Sequence, residues 1–187
     1  MKLQRLGPAI RRRLKEPVLL RVLLYHHDLG EIGIPTLEPG CDIRVLERGE
    51  LGKLTEVGGV DEAEVSMRYE RGDRCYGGFL DGRIAHYSWV QSTSTHALTR
   101  AGRRFSVQPG EFWIYNCRTA EWARGHGLYP AALLTILADY RRSGHTRCWI
   151  YTTVENVASQ HGIARAGFVD DRGLRSLKLG PLILPLW

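Results

Sequence analysis

The segment Arg124-Gly125-His126-Gly127-Leu128-Tyr129 connects a predicted strand to a predicted buried helix. Glycines let the main chain approach a ligand closely, and the first turn of a helix offers unpaired N–H groups at the positive end of its dipole. Such a turn binds phosphate groups. Pro130 supports a helix start here, because proline lacks an N–H and is tolerated in the first helical turn.

The elements on either side of this segment support a phosphate-binding role. The Arg-x-x-Gly pattern alone is not specific, because it also occurs at Arg74 and Arg141. An aromatic strand is predicted from Glu111 to Cys117, and the helix over residues 128 to 142 is apolar around most of its circumference. A strand from Arg147 to Val154 follows, then a helix capped by Asn156 and Gly167. A strand-helix-strand order with a helix of this length predicts a parallel strand pair.

This order, completed by Ala166-Gly167-Phe168, resembles the GCN5-related N-acetyltransferase (GNAT) superfamily over residues 41 to 180. The resemblance implies an α/β fold with a central mixed, mostly antiparallel twisted sheet, a splayed parallel strand pair and flanking helices. The family's pyrophosphate motif maps onto Arg124, Gly127 and position 129. This chain departs from the motif at its last position, where the bulky Tyr129 stands instead of Gly or Ala.

The resemblance implies acetyl-CoA, or another acyl-CoA, as the co-substrate. It places pantetheine between the splayed strands, with the main-chain amides of Cys117 and Thr119 as candidates for polarising the thioester carbonyl. Asn156 is similar to an asparagine that contacts the cofactor arm, and a plain helix cap explains it equally well. The cofactor-binding set implied is Cys117, Thr119, Arg124, Gly125, His126, Gly127, Leu128, Tyr129 and Asn156.

The catalytic groups are less well defined by the sequence. Acylation needs a neutral amine, so Glu111, Tyr115 and Glu155 are candidates for removing its proton. Many relatives use a tyrosine seven residues after the asparagine as the acid, and here that position is Ile163. Ser159, one helical turn after Asn156, is a candidate for relaying a proton. For His86 and His161 a surface or hydrogen-bonded structural role is favoured.

The resulting prediction is an acyl-CoA-dependent N-acyltransferase, in its simplest form an acetyltransferase that acts on a primary amine of a small molecule or amino sugar. Transfer of a longer acyl chain is one alternative. A catalytically silent acyl-CoA-binding module is another, since Tyr129 and Ile163 replace the usual residues.

Composition restricts the other classes. The 187 residues with 43% hydrophobic content suit one globular domain, and a net charge of +6 is a mild bias toward anionic partners. The basic residues do not form one stripe with interleaved aromatic residues, so we expect no nucleic-acid partner. Scattered cysteines without zinc-ligand spacing predict reduced thiols, no metal and a cytoplasmic location. These cysteines are Cys41, Cys75, Cys117 and Cys148.

The two ends differ from the middle of the chain. Residues 1–40 are predicted to be a basic N-terminal extension and residues 41–187 the acyltransferase domain. Leu3, Leu6, Ile10 and Leu14 have the spacing of an amphipathic helix, for which packing on the domain is favoured over weak contact with a membrane surface. The apolar run from Leu179 to Trp187 is expected to cover the sheet or a second subunit, which leaves a homodimer open.

Overall fold

The computed structural model describes residues 17–186, which contain ten strands and four helices besides short 3-10 turns. The strands are β1 (Val18–His27), β2 (Cys41–Val45), β3 (Arg74–Leu80), β4 (Arg83–Gln91), β5 (Thr95–Leu98), β6 (Arg103–Ser106), β7 (Glu111–Thr119), β8 (Arg147–Thr153), β9 (Val169–Leu179) and β10 (Leu182–Leu186). The helices are α1 (Leu54–Val57), α2 (Glu62–Glu70), α3 (Leu128–Arg142) and α4 (Val157–Arg165).

Eight strands form one sheet in the order β10-β9-β1-β8-β7-β4-β3-β2, and β5 and β6 form a separate hairpin. Neighbouring strands in the large sheet are antiparallel except β7 and β8, which are parallel. The predicted mixed, mostly antiparallel sheet with one parallel pair is therefore confirmed, as are its flanking helices.

The helix α3 packs against the sheet and contributes much of the core. Eight of its 15 residues are buried, which agrees with the apolar sequence around most of its circumference. Leu133, Ile136 and Leu137 lie in one cluster with Phe112 of β7 and Ile150 of β8. The helix thus covers the region where β7 and β8 pair. Its first turn lies near the end at which these two strands are not paired.

The strand β1 differs from the sequence prediction. Val18–His27 was placed in an N-terminal extension, yet it lies inside the sheet between β8 and β9. The physical reason is that both edges of β1 are paired, so its inward side chains such as Val22 and Leu24 are buried. The predicted helix containing Leu3, Leu6, Ile10 and Leu14 lies outside the described residues.

Two further hairpins were not predicted as such. The polar segment after Gln91 contains β5 and β6, with Leu98 and Ala101 fully buried at their turn. The apolar C-terminal run forms β10, which extends the sheet at its edge beside β9. Gly102 lets the two hairpins approach closely, because a Cβ at this positive-φ residue would lie 2.8 Å from the carbonyl oxygen of Ile183.

Candidate active site

The parallel strands β7 and β8 pair at one end and separate at the other. Their register covers Glu111 to Trp113 against Arg147 to Trp149. Beyond these three pairs, β7 continues along β4 and β8 continues along β1. The inner edges of the two strands thus leave a gap in the middle of the sheet.

A bulge in β7 lies beside this gap. The register with β4 shifts between Tyr87 and Trp89, and Asn116 has a φ of 47°. A left-handed asparagine at an extra residue is typical of a bulge, which bends the strand and disturbs its ladder. Cys117, the next residue, has no cross-strand partner in the register of either neighbour. Asn116 has no such partner either, so the ladder is interrupted at these two residues, beside the gap.

The bulge is supported by the buried guanidinium of Arg68 in α2. This group lies over the rings of Trp89 and Tyr115, 5.3 and 5.2 Å from their centroids. It donates a hydrogen bond to Glu64, and with the Asn116 amide oriented so that its oxygen faces Arg68, this oxygen accepts another from Nη2 at 2.9 Å. Arg68 is only 7% exposed, so these partners offset the cost of burying its charge.

The segment from Arg124 to Gly127 ends at the first turn of α3, as predicted. Gly125 and Gly127 have φ values of 94° and 70°, which L residues rarely adopt. The N–H groups of residues 125–128 donate no hydrogen bond to any residue in the described part of the chain. They form a set of free donors at the positive end of a 15-residue helix, an arrangement that suits a phosphate group.

A cleft of about 610 Å³, here called the loop cleft, lies between this segment, the end of β7 and α4. Arg118, Arg124 and Arg165 line it, and within residues 17–186 no Asp or Glu does. Arg124 lies 3.6 Å from the exposed Glu121, so it is only weakly engaged. The loop cleft is consequently a basic site that suits a polyanionic ligand.

A second cleft of about 590 Å³, here called the arginine cleft, lies between α2, the β5–β6 hairpin and the gap. Arg68, Arg71 and Arg100 line it. Four residues line both clefts, so the two meet at the gap between the splayed strands. These residues are Cys117, Tyr129, Asn156 and Ser159.

A comparison with solved structures found several with a similar fold. A putative GNAT acetyltransferase from Novosphingobium aromaticivorans superimposes with a TM-score of 0.62 and 18% identity, over 87% of this chain and 65% of its own. A GCN5-related N-acetyltransferase from Sphaerobacter thermophilus gives 0.66 and 17%, over 91% and 55%. A putative acetyltransferase from Salmonella typhimurium, solved with its cofactor acetyl-CoA, gives 0.57 and 16%, over 79% and 93%.

This chain has the GNAT fold. It spans 65% and 55% of the length of the first two of these structures. No protein-family model matches the sequence. No curated protein matches it either.

Most of the cofactor-binding residues predicted from the GNAT motif line the loop cleft. They are Cys117, Thr119, Arg124, Gly125, Gly127, Leu128, Tyr129 and Asn156. His126 does not line it; its Nδ1 lies 2.7 Å from Glu38 and ties the loop to the segment before β2. The side chain of Asn156 accepts a hydrogen bond from the Ser159 N–H at 3.2 Å, so it acts as a helix cap while also bordering the cleft.

The predicted catalytic candidates are separated by the GNAT fold. Tyr115 and Ser159 line the arginine cleft, whereas Glu111 and Glu155 line neither cleft. Glu111 lies at the paired end of β7, and its carboxylate accepts a hydrogen bond from the Gln108 N–H at 3.3 Å. Glu155 is exposed in the turn before α4. Strand direction explains the separation, since the start of β7 lies at the opposite end from the gap.

Tyr115 is held in a buried network. Its hydroxyl donates to the carboxylate of Asp73 and accepts from Arg71 Nη2 at 3.0 Å. Burial, followed by the hydrogen bond to Asp73, raises the pKa of Tyr115 well above its usual value. The phenol therefore stays protonated at neutral pH, which argues against Tyr115 as the base.

Tyr129 is a candidate proton donor. From the sequence it was assigned to the cofactor-binding loop and not to catalysis. Its hydroxyl lies 3.2 Å from Ser159 Oγ, and its ring packs against Gly162 of α4. Burial raises the pKa of Tyr129 well above its usual value, so the phenol remains protonated. The departure from the GNAT motif at position 129 thus puts a proton donor where the two clefts meet. The sequence did contain an indication of this role, namely a bulky tyrosine at a position where the motif has Gly or Ala.

The buried polar chain behind Cys117 is neutral. His86 lies 2.8 Å from both Thr119 Oγ1 and Ser88 Oγ, and burial lowers its pKa to about 3. Burial also raises the pKa of the Cys117 thiol to about 12. Neither group carries a charge at neutral pH, so the buried side chains on this side of the gap are uncharged.

Among residues 17–186, no three His, Cys, Asp or Glu side chains are grouped so that they could hold a metal ion. In the same range, no helix has the length and apolar character needed to cross a membrane.

Proposed function

We propose that this protein transfers an acyl group, in the simplest case acetyl, from acyl-CoA to a primary amine of a small molecule or amino sugar. The observation that carries the proposal is the meeting of two clefts at the gap between β7 and β8. A basic cleft on one side suits the cofactor, a second cleft suits the acceptor, and four residues border both. A reaction between two bound ligands requires their reacting groups to be held close together, and the region that borders both clefts allows this.

On the cofactor side, the pyrophosphate binds to the free N–H groups of residues 125–128. Arg118, Arg124 and Arg165 supply positive charge for the remaining phosphate oxygens. Pantetheine then follows the gap toward Cys117, whose main-chain N–H lies at the interruption of the ladder and polarises the thioester carbonyl.

At the reacting centre, the amine nitrogen attacks the thioester carbon and the C–S bond breaks, so the thiolate leaves and the amide forms. Tyr129 donates a proton to the thiolate, with Ser159 Oγ as its hydrogen-bond neighbour. On the acceptor side, Glu64 is the only carboxylate within residues 17–186 that lines the arginine cleft. We assign it the role of taking up the amine proton, through water.

The test is release of free CoA thiol from acetyl-CoA in the presence of a panel of amines. We expect turnover with at least one amine, and Arg124→Ala should raise the dissociation constant of acetyl-CoA about tenfold through loss of one charge-assisted contact. Its unfolding free energy should change by less than about 0.5 kcal/mol, since the side chain is exposed.

Other results would redirect the proposal. Tight CoA binding without turnover on any amine would favour a silent binding module, and faster turnover with longer acyl-CoA would identify the chain length. Arg104→Gln, in the exposed face of β6 and outside both clefts, serves as the charge-matched control. An unaltered dissociation constant in Arg124→Ala would refute the role of that arginine.

A further inference from the structure

The arginine cleft has an uneven charge distribution. Arg68 and Arg71 come from the α2 side, and Arg100 comes from the 3-10 turn between β5 and β6. Glu64 is the only acidic residue that lines the cleft within residues 17–186. The cleft therefore carries more positive than negative charge around an acceptor that is itself an amine.

Two of these arginines already have partners. Arg68 is paired with Glu64. The Nε of Arg71 lies 3.1 Å from the buried carboxylate of Asp73, which holds this guanidinium in place. Arg100 differs, because it makes no ion pair with any residue in the described part of the chain. The net positive charge of the cleft thus resides at Arg100.

The main chain at Arg100 is fixed although its side chain is exposed. Its carbonyl oxygen accepts a hydrogen bond from Ser176 Oγ at 2.8 Å, and Ser176 is fully buried. The neighbouring Leu98 and Ala101 are also fully buried. A long side chain on an anchored turn loses less freedom on binding than one on a mobile loop, so this turn is a suitable base for a ligand contact.

We infer that the acceptor amine carries a second group that is an oxyanion, a carboxylate or a phosphate, and that Arg100 binds it at the mouth of the arginine cleft with Arg71 contributing from the opposite wall. This inference rests on the proposed acyl transfer and adds the class of acceptor.

The charges and the size of the cleft support this class. A purely cationic acceptor would meet the unpaired positive charge of Arg100, which disfavours its binding. An acceptor with an oxyanion supplies the missing counter-ion, and a guanidinium binds carboxylate or phosphate through two parallel hydrogen bonds. A volume of about 590 Å³ lies in the range of small-molecule sites.

The experiment compares matched amines as acceptors with acetyl-CoA as donor. Each set holds an amino acid, its primary amide and its decarboxylated amine, and ethanolamine is compared with its phosphate ester. We expect the oxyanion-bearing member of a set to have the higher kcat/KM, and the two kinds of set identify which oxyanion is preferred. Arg100→Gln should lower that kcat/KM about tenfold, mainly through KM, since it removes one charge-assisted contact.

The same substitution should leave the KM for acetyl-CoA within about twofold of wild type, and it should not lower kcat/KM for the amines that lack an oxyanion, because neither ligand uses this contact. Arg104→Gln, on the same hairpin and outside the cleft, should behave like wild type with every acceptor.

Preference of the wild type for the amines that lack an oxyanion would overturn the inference while acyl transfer stands. An equal loss in Arg100→Gln for acceptors with and without an oxyanion would also overturn it, since that pattern indicates a structural role. No turnover with any amine would remove the proposed function and this inference together.

Discussion

At the scale of single residues, Tyr129 combines two properties that a glycine or alanine at its position would lack. Its ring fills the space between the start of α3 and Gly162, and its hydroxyl reaches Ser159. Ile163, at the position where the resemblance implies a tyrosine, is fully buried in the core. The phenol of Tyr129 comes to the gap from another helix.

Tyr129→Phe tests this role, because it removes the hydroxyl and keeps the ring. We expect kcat to fall by about a hundredfold, the lower end of the range for loss of an acid or base, with the acetyl-CoA dissociation constant within about twofold. Fluorotyrosine at this position, which has a more acidic phenol, should move the alkaline limb of the pH–rate profile to lower pH. A profile identical to that of wild type would contradict a proton transfer from Tyr129.

At the scale of elements, the contact between α3 and α4 depends on the absence of a side chain at Gly162. A Cβ there would lie 2.7 Å from Cε1 of the Tyr129 ring. Gly162→Ala should therefore lower the unfolding free energy by about 1–3 kcal/mol, the cost of overpacking a filled space. Chemical denaturation measures the change.

The matched controls for this prediction lie in the same chain. Gly173→Ala in β9 meets no atom within 4 Å and should cost less. Combined with Tyr129→Ala, the Gly162→Ala change should lose most of its own cost, since the ring that it meets is absent. An additive double variant would show that the two residues do not interact.

The elements also show what the sequence can and cannot predict. Strand β7, helix α3, strand β8 and helix α4 were predicted because their periodicity, caps and breakers agree locally. Strand β1 was not, because its short apolar run with Arg21 in the middle has no distinct strand pattern and is defined by pairing with β8 and β9. Residues that meet only by long-range packing, such as Arg68 with Asn116, leave no signal in one sequence.

At the scale of the whole molecule, burial of neutral histidines makes stability depend on pH. Burial lowers the pKa of His86 to about 3 and that of His96 to about 4. In the unfolded chain both take up a proton near pH 6.5, whereas the folded protein stays neutral there. Their contribution is complete above pH 6.5 and is lost as pH falls toward their folded pKa values.

Denaturant unfolding at pH 7.5 and 5.5 measures this effect. We expect a lower unfolding free energy at pH 5.5, with a slope of at most about 1.4 kcal/mol per pH unit for each buried histidine. His96→Gln should reduce the slope, and the exposed His161→Gln should leave it unchanged. A flat dependence in wild type would show that these histidines can be protonated in the folded state.

The short register between β7 and β8 has a consequence for how the molecule responds to its ligand. Within the strand ladder, only three residue pairs join the half-sheet of β10, β9, β1 and β8 to the half-sheet of β7, β4, β3 and β2. A ligand arm lying in the gap would act as an additional strand that bridges the halves. Without ligand, the protein should then open locally between β7 and β8 before it unfolds elsewhere. A bound ligand should suppress this local opening.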